Sequence, residues 1–276
     1  MTGLPVGSPV FSSEDVRYMD HTIFSANSFA GKTALISGGT SGIGLAAAEI
    51  FLVGGASVML MGRDTTRGQA ALAQLSAGEN AHFVCGDVRH AVDCQRAVEE
   101  TVRAFDGIDI LVNSAGIYAE GALDDLMEAV LDDLITTNIK GTFHLTQAVL
   151  PHLRRARGNI VNVASDAGLH GNYFCAAYAA TKGAVIAFTR SLALELARDR
   201  IRVNAVAPAD VLTPLTERQL SPHLPRAEQL HEMAAIYPLG RIGTPHEAAA
   251  VIAFLTSDAA SWVTGSVYCV DGGLTA

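Results

Sequence analysis

Tyr178 and Lys182 stand four residues apart in Tyr178-Ala179-Ala180-Thr181-Lys182, and Ser165 lies thirteen positions upstream. A four-residue step puts the phenol and the ammonium on one helix face, a turn apart. There the cation favours the phenolate and can draw a tyrosine with an ordinary pKa of about 10 towards working pH. Such a tyrosine can pass a proton to or from an alcohol or ketone oxygen. The pair alone is common in helices. It gains meaning from a second feature, Gly38-Gly39-Thr40-Ser41-Gly42-Ile43-Gly44. This stretch follows an apolar run and opens a helical pattern. Gly38 permits a tight turn, Gly42 lets the backbone approach a pyrophosphate, and a helix N-terminus supplies positive partial charge. Its spacing departs from G-x-G-x-x-G but uses the same physics. A phosphate loop combined with a tuned tyrosine predicts an oxidoreductase.

The elements that must position these residues follow a regular rhythm from Lys32 onward. Strands are predicted at Thr33–Ser37, Ser57–Met61, His82–Cys85, Ile108–Val112, Asn159–Ala164, Ile201–Val206 and Val267–Val270. The first six are uninterrupted apolar runs, as expected of parallel strands covered on both faces. Helices are predicted at Ile43–Val53, Arg67–Leu75, Val92–Phe105, Leu123–Arg154, Ala176–Ala197 and Pro245–Thr256, the fourth long enough to hide a bend. The alternation predicts one doubly wound parallel α/β sheet, a Rossmann fold with helices on both faces. Residues 1–30 read as an N-terminal arm and 31–276 as the main domain. Residues 209–240 interrupt the rhythm with Pro214, Pro222, Pro225 and Pro238, and are expected to form a substrate lid.

Composition narrows the partners. A net charge of −9 without a Lys/Arg cluster argues against nucleic acid. The apolar fraction of 49% with 17% charged residues is that of a globular chain. No basic and apolar leader is evident, and the longest charge-free run, Thr33 to Ala48, is too short to cross a bilayer. A cytoplasmic protein without a membrane partner is therefore expected. Cys85, Cys94, Cys175 and Cys269 form no C-x-x-C pair and are expected to be small buried hydrophobes, although Cys175 lies near Tyr178. The nine histidines show no metal-ligand spacing, so no metal is expected.

Several motifs recur in a familiar order: Ser37-Gly38-x-x-x-Gly42-Ile43-Gly44, Asp87-Val88, Asn113-Ser114-Ala115-Gly116, Asn138, Ser165, Tyr178-x-x-x-Lys182, Asn204-Ala205-Val206-Ala207-Pro208 and Val270-Asp271-Gly272-Gly273. In these, residues 31–276 resemble a short-chain dehydrogenase/reductase of the roughly 250-residue type. The resemblance implies hydride chemistry with a nicotinamide cofactor. It makes Tyr178 the general acid/base and has Lys182 lower its pKa and bond the nicotinamide ribose. Ser165 would hold the substrate oxygen, and Asn138 would keep a water in the proton relay. Thr40, Ser41 and Ile43 of the glycine loop, Asp87 and Val88 beside the adenine, and Asn113, Ala115 and Gly116 after the fourth strand would line the cofactor. Pro208 and Val211 would do so after the sixth. Taken singly, Ser165 and Asn138 also suit plain capping roles.

Cofactor choice rests on the end of the second strand. Gly62 stands where members that prefer NAD(H) usually carry an acid, and Arg63 follows. A guanidinium there can pair with a 2′-phosphate, so NADP(H) is expected to be preferred, with NAD(H) possible. Three positions depart from the family pattern: Ser37 for Thr, Ser114 for Asn, and Ala209 where glycine is usual. Alanine at 209 is expected to restrict the backbone near the nicotinamide. The motifs also resemble those of 3-oxoacyl-carrier-protein reductases, which present arginines to an acidic carrier. This chain has His144 and Leu194 at the matching positions and is itself acidic, which favours a free small-molecule carbonyl or alcohol. A non-catalytic dinucleotide sensor would not need Ser165, Tyr178 and Lys182 together. An apolar stripe of Val185, Phe188, Leu192 and Leu196 predicts a homo-oligomer, a dimer or tetramer, against the alternative that it is simply core.

Overall fold

The computed structural model describes residues 27–276. Seven strands form one wholly parallel sheet in the order β3-β2-β1-β4-β5-β6-β7. They are β1 (Thr33–Ser37), β2 (Ser57–Gly62), β3 (Ala81–Cys85), β4 (Ile110–Asn113), β5 (Asn159–Val163), β6 (Arg202–Pro208) and β7 (Val267–Val270). The chain winds outward from β1 to β3, then crosses back to place β4 on the other side of β1. That reversal opens a crevice at the carboxyl ends of β1 and β4, where α/β sheets bind their ligands.

The apolar runs are buried on both faces because alternate side chains enter different cores. Ala34 and Ile36 of β1 pack under α1 (Gly42–Val53), α2 (Thr65–Leu75) and α9 (Pro245–Thr256). Leu35 packs on the other side, under α3 (Ala91–Phe105), α5 (Gly141–Ala156) and α6 (Ala176–Leu196). Most of the predicted N-terminal arm, residues 1–26, lies outside the described residues. Its end, 27–30, is held on the body: Phe29 is buried edge-on against Phe51, with ring centroids 5.0 Å apart.

One helical expectation needs correction, and residues 209–240 hold short helices of their own. The long helix over Leu123–Arg154 is interrupted. A short α4 (Glu128–Leu134) runs into a π-helical stretch, Ile135–Lys140, before α5 begins. A Cβ at Gly141 would meet Val88 Cγ2 at 2.6 Å, so the helix lies tight against Val88. Such π stretches often mark functional sites, and this one carries Asn138. The prolines of residues 209–240, in turn, start helices as well as break them. Thr213 caps α7 (Pro214–Glu217) by accepting from the backbone of Leu215 and Thr216, and Pro214 takes the first turn, where a missing N–H costs nothing. α8 (Arg226–Ala234) follows Pro225. Leu220 and Met233 pack with Leu230, Tyr237 and Ile242 into this segment's own small core.

The stripe on α6 is mostly core. Val185, Leu192 and Leu196 are buried within the chain because they face β5 and β6. Phe188 is half-buried and stacks on the exposed Phe143, with centroids 4.0 Å apart. Leu194, six residues on, is exposed. No described helix is long and apolar enough to cross a membrane.

Candidate active site

The crevice is a cleft of about 930 Å³ at the carboxyl edge of the sheet. The glycine loop forms one wall. Gly38 has φ +65°, and a Cβ there would meet the Ala115 nitrogen at 2.8 Å, so only glycine lets the two strand-end loops touch. Gly44 brings α1 against the loop, since a Cβ would lie 2.5 Å from Gly38 O. Ser41 precedes α1 but makes no side-chain cap, and the first turn holds no acid. The first N–H groups of α1 therefore face the cleft beside Ser41 and Gly42 without an internal anion. A pyrophosphate fits this cradle. Thr40, Ile43, Val88, Ala115, Gly116, Pro208 and Val211 also line the cleft.

At the end of β2, Arg63 reaches across the cleft mouth with its side chain 56% exposed and 3.8 Å from Asp87 Oδ2. Asp87 is held more closely by Arg89, at 2.8 and 2.9 Å. Burial works to raise the Asp87 pKa. The hydrogen bonds and charge of Arg89, helped by Arg63, outweigh it and keep the carboxyl below its ordinary range. Asp64, the acid nearest to this turn in sequence, accepts from Arg67 N at 3.0 Å and caps α2.

The reactive end gathers Ser165, Tyr178 and Lys182 along the same cleft. The spacing on α6 works as read: Lys182 Nζ lies 5.7 Å from the Tyr178 ring centroid. Both side chains are buried, and Lys182 donates to Val163 O at 2.9 Å. Burial pushes the Tyr178 phenol upward, with the Ser165 hydroxyl beside it working the other way. It also pushes the Lys182 ammonium down to about 8. The net direction on Tyr178 is thus opposite to the spacing argument, because desolvation penalises the charged form of each partner. Ser165 is both a cap and a cleft residue: its hydroxyl accepts from Ala167 N at 3.2 Å and donates to Asp166 Oδ1 at 2.8 Å.

Three expected cofactor or catalytic residues act from beneath the cleft. Asn138 is buried, and its amide is occupied by Ile117 N at 2.9 Å, Ile117 O at 3.0 Å and Thr181 Oγ1 at 3.0 Å. Its side chain ties the loop after β4 to α6. A Cβ on Gly116 would lie 3.4 Å from both Asn138 Oδ1 and Lys182 Nζ, so glycine keeps the passage between them open. Asn113 is likewise buried and donates to Thr146 Oγ1 at 3.0 Å and Asn162 Oδ1 at 2.9 Å, supporting the floor. Gly44 belongs to helix–strand packing. Ala209 has no positive φ, so alanine meets no restriction there.

Other lining residues escaped the sequence reading. Tyr118 packs edge-on to Tyr178 with centroids 4.9 Å apart, and donates to Glu120 Oε2 at 2.8 Å. Asp166 and His170 pair at 3.2 Å, and Tyr237 donates to Asp210 Oδ2 at 2.7 Å. Three of these adjoin a motif: Asp166 follows Ser165, Tyr118 is two residues past Gly116, and Asp210 two past Pro208. Tyr237 carried no such signal. Of the cysteines, Cys94 and Cys175 are buried as expected, whereas Cys85 and Cys269 are exposed. Burial pushes the Cys175 thiol up, which disfavours its alkylation. Among the described residues no cluster of His, Cys, Asp or Glu could hold a metal.

Comparison with known proteins agrees with this architecture. The family model described as enoyl-(acyl carrier protein) reductase matches residues 38–275. The chain is 39% identical over 247 residues to mouse L-fucose dehydrogenase, covering 89% of each protein. It is 40% identical to the 3-oxoacyl-acyl-carrier-protein reductase of Thermotoga maritima, covering 88% of this chain and 98% of that one. A Brucella melitensis structure described as a short-chain glucose/ribitol dehydrogenase superposes with a TM-score of 0.84 at 38% identity, covering 90% of this chain and 98% of its own. A 3-ketoacyl-acyl-carrier-protein reductase from the same organism, complexed with NADH, gives 0.82 at 32% identity, with 90% and 100% covered. The motifs, the sheet order and these relatives coincide over nearly all the described residues, and the protein belongs to the short-chain dehydrogenase/reductase family of oxidoreductases.

Proposed function

We propose that this oxidoreductase reduces a free small-molecule ketone, or oxidises the matching alcohol, with NADP(H) preferred over NAD(H). The observation that carries the reading is the meeting of Ser165, Tyr178 and Lys182 in one cleft with the glycine loop. The bound nicotinamide supplies or accepts the hydride. The glycine loop and the N-terminus of α1 bind the pyrophosphate. Tyr178 moves the proton at the substrate oxygen, and Ser165 holds that oxygen. Burial keeps the phenol protonated, the state that ketone reduction uses. Lys182 bonds the ribose and supplies positive charge, while Asn138 fixes the loop after β4. Residues 209–240 act as a lid, with Thr213 standing over Gly42.

The cofactor preference is tested at β2. A charge-assisted bond from Arg63 to the 2′-phosphate should favour NADPH on the order of 10–100-fold in affinity. Salt should weaken it, since Arg63 is more than half exposed. Combining Gly62→Asp with Arg63→Ile should invert the preference by adding an acceptor and removing the cation. A Cβ at Gly62 meets Thr40 Cγ2 at 3.0 Å, so Thr40 has to yield slightly. The check is kcat/KM for both cofactors with one active ketone. A wild type that favours NADH, or a double variant that still favours NADPH, refutes the assignment.

We place the protein in the cytoplasm as a homo-oligomer, a dimer or tetramer, associating through Phe143, Phe188 and Leu194 on α5 and α6. Light scattering at micromolar concentration should give a multiple of the chain mass. A monomer mass rejects the assembly, and recovery in a membrane or secreted fraction rejects the location.

A further inference from the structure

The two ends of the cleft differ in chemistry. Its cofactor end carries Arg63 and Arg67, each beside an acid, Asp87 and Asp64. Arg218 also lines the cleft, and its Nε donates to Pro214 O at 2.9 Å. Around Tyr178 the lining acids outnumber the ammonium of Lys182. Asp166 and Asp210 line this end, and Glu120 stands behind Tyr118. Burial raises the Asp210 carboxyl, the Tyr237 bond lowers it, and the charges of Asp166 and Glu120 raise it further, so the acids sense one another.

None of these carboxylates is bare. Asp166 receives the Ser165 hydroxyl at 2.8 Å and pairs with His170 at 3.2 Å. Asp210 receives the Tyr237 hydroxyl at 2.7 Å. The lining therefore consists of acceptor and donor side by side, next to the group that handles the proton. A substrate hydroxyl can donate to the carboxylate and accept from its neighbour at once. An anionic substrate meets repulsion from Asp166 and Asp210 at close range and low dielectric. A cationic one meets the Lys182 ammonium.

We infer that the substrate end of this cleft is built for a neutral, polyhydroxylated ketone and its alcohol, with Asp210 and Asp166 as specificity residues that bind hydroxyls flanking the reacting carbon. The inference rests on the proposed carbonyl chemistry at Tyr178. It separates this chain's substrate from keto acids and acyl thioesters of acidic carriers.

The test uses four-carbon ketones that differ in one property: erythrulose with hydroxyls, butanone without, acetoacetate with a carboxylate, and an aminoketone with an ammonium. With NADPH, kcat/KM for erythrulose should exceed that for each of the others by at least ~10-fold. Asp210→Asn should narrow the gap between erythrulose and acetoacetate by at least ~10-fold. Glu120→Gln, at an exposed position, should narrow it in the same direction if Asp210→Asn does not fold. Calorimetry on Tyr178→Phe, which is expected to bind but not turn over, should rank the ligands identically. A preference for acetoacetate, butanone or the aminoketone overturns the inference and leaves the oxidoreductase reading standing. So does a gap unmoved by every folded variant. Failure to turn over any ketone or alcohol with either cofactor overturns both.

Discussion

Replacing Tyr178 by phenylalanine should lower turnover by at least ~10²-fold while cofactor still binds. The change removes one hydroxyl and keeps the ring that packs edge-on to Tyr118. Two neighbouring tyrosines have their hydroxyls engaged elsewhere, Tyr118 with Glu120 and Cys175 and Tyr237 with Asp210. The loss should appear in kcat and kcat/KM together, because the interaction is made as the proton moves. Steady-state kinetics with a reducible ketone, alongside fluorescence titration of NADPH, separates chemistry from binding. Near-normal turnover in the purified variant removes Tyr178 from the mechanism.

Lys182→Met should abolish most activity and yet stabilise the protein without cofactor at neutral pH. Burial pushes the Lys182 ammonium from an ordinary 10.5 down to about 8. Between those values the unfolded chain binds more protons than the folded one, so stability rises with pH across that window. Below about pH 8 the whole penalty is present, roughly 3 kcal/mol as an upper figure. Methionine removes it but also forfeits the 2.9 Å bond to Val163 O, worth about 1 kcal/mol. A net gain of ~1–2 kcal/mol corresponds to a rise in Tm of a few degrees. Thermal melts of both proteins should show the variant ahead near pH 7 and its lead shrinking towards pH 10. A variant less stable at neutral pH, or a difference flat with pH, contradicts the account of a strained, buried ammonium. Activity lost without any stability gain would leave only the catalytic half.

Tyr178→Phe and Lys182→Met draw on different features of the sequence. The helical step from Tyr178 to Lys182 and the βα turn at Gly38 were legible because local geometry decides both. The strands were legible because burial on both faces leaves unbroken apolar runs. What the sequence did not give was the balance of forces within the pair. Spacing announces a cation near a phenol, but burial, which comes from Leu134, Ala167 and other distant segments, decides the direction of each pKa. Asn138 and Asn113 stand in recognisable motifs, while the bonds they make to Ile117, Thr181, Thr146 and Asn162 are a tertiary fact. The π stretch was only a suspected bend, because no proline or glycine inside 135–140 marks it. The α6 stripe misled for a related reason: helical periodicity shows that a face is apolar and not what covers it. In residues 209–240 the prolines interrupt the rhythm of the sequence, yet Pro214 follows Thr213, a residue type that starts helices. The acids around Tyr178 had to wait for the fold, which brings Asp210 and Tyr237 together across 27 residues.

The central claim, that this chain moves a hydride between a nicotinamide and a carbonyl carbon, is tested most directly by isotope transfer. Purified protein is given a reducible ketone and NADPH deuterated on either face of its transferring carbon, and the alcohol is examined by mass spectrometry and NMR. The account predicts deuterium at the carbinol carbon from one labelled face only, with Tyr178→Phe forming little product. Alcohol that carries no deuterium from either face, or the absence of any cofactor-dependent product across neutral ketones, would contradict it.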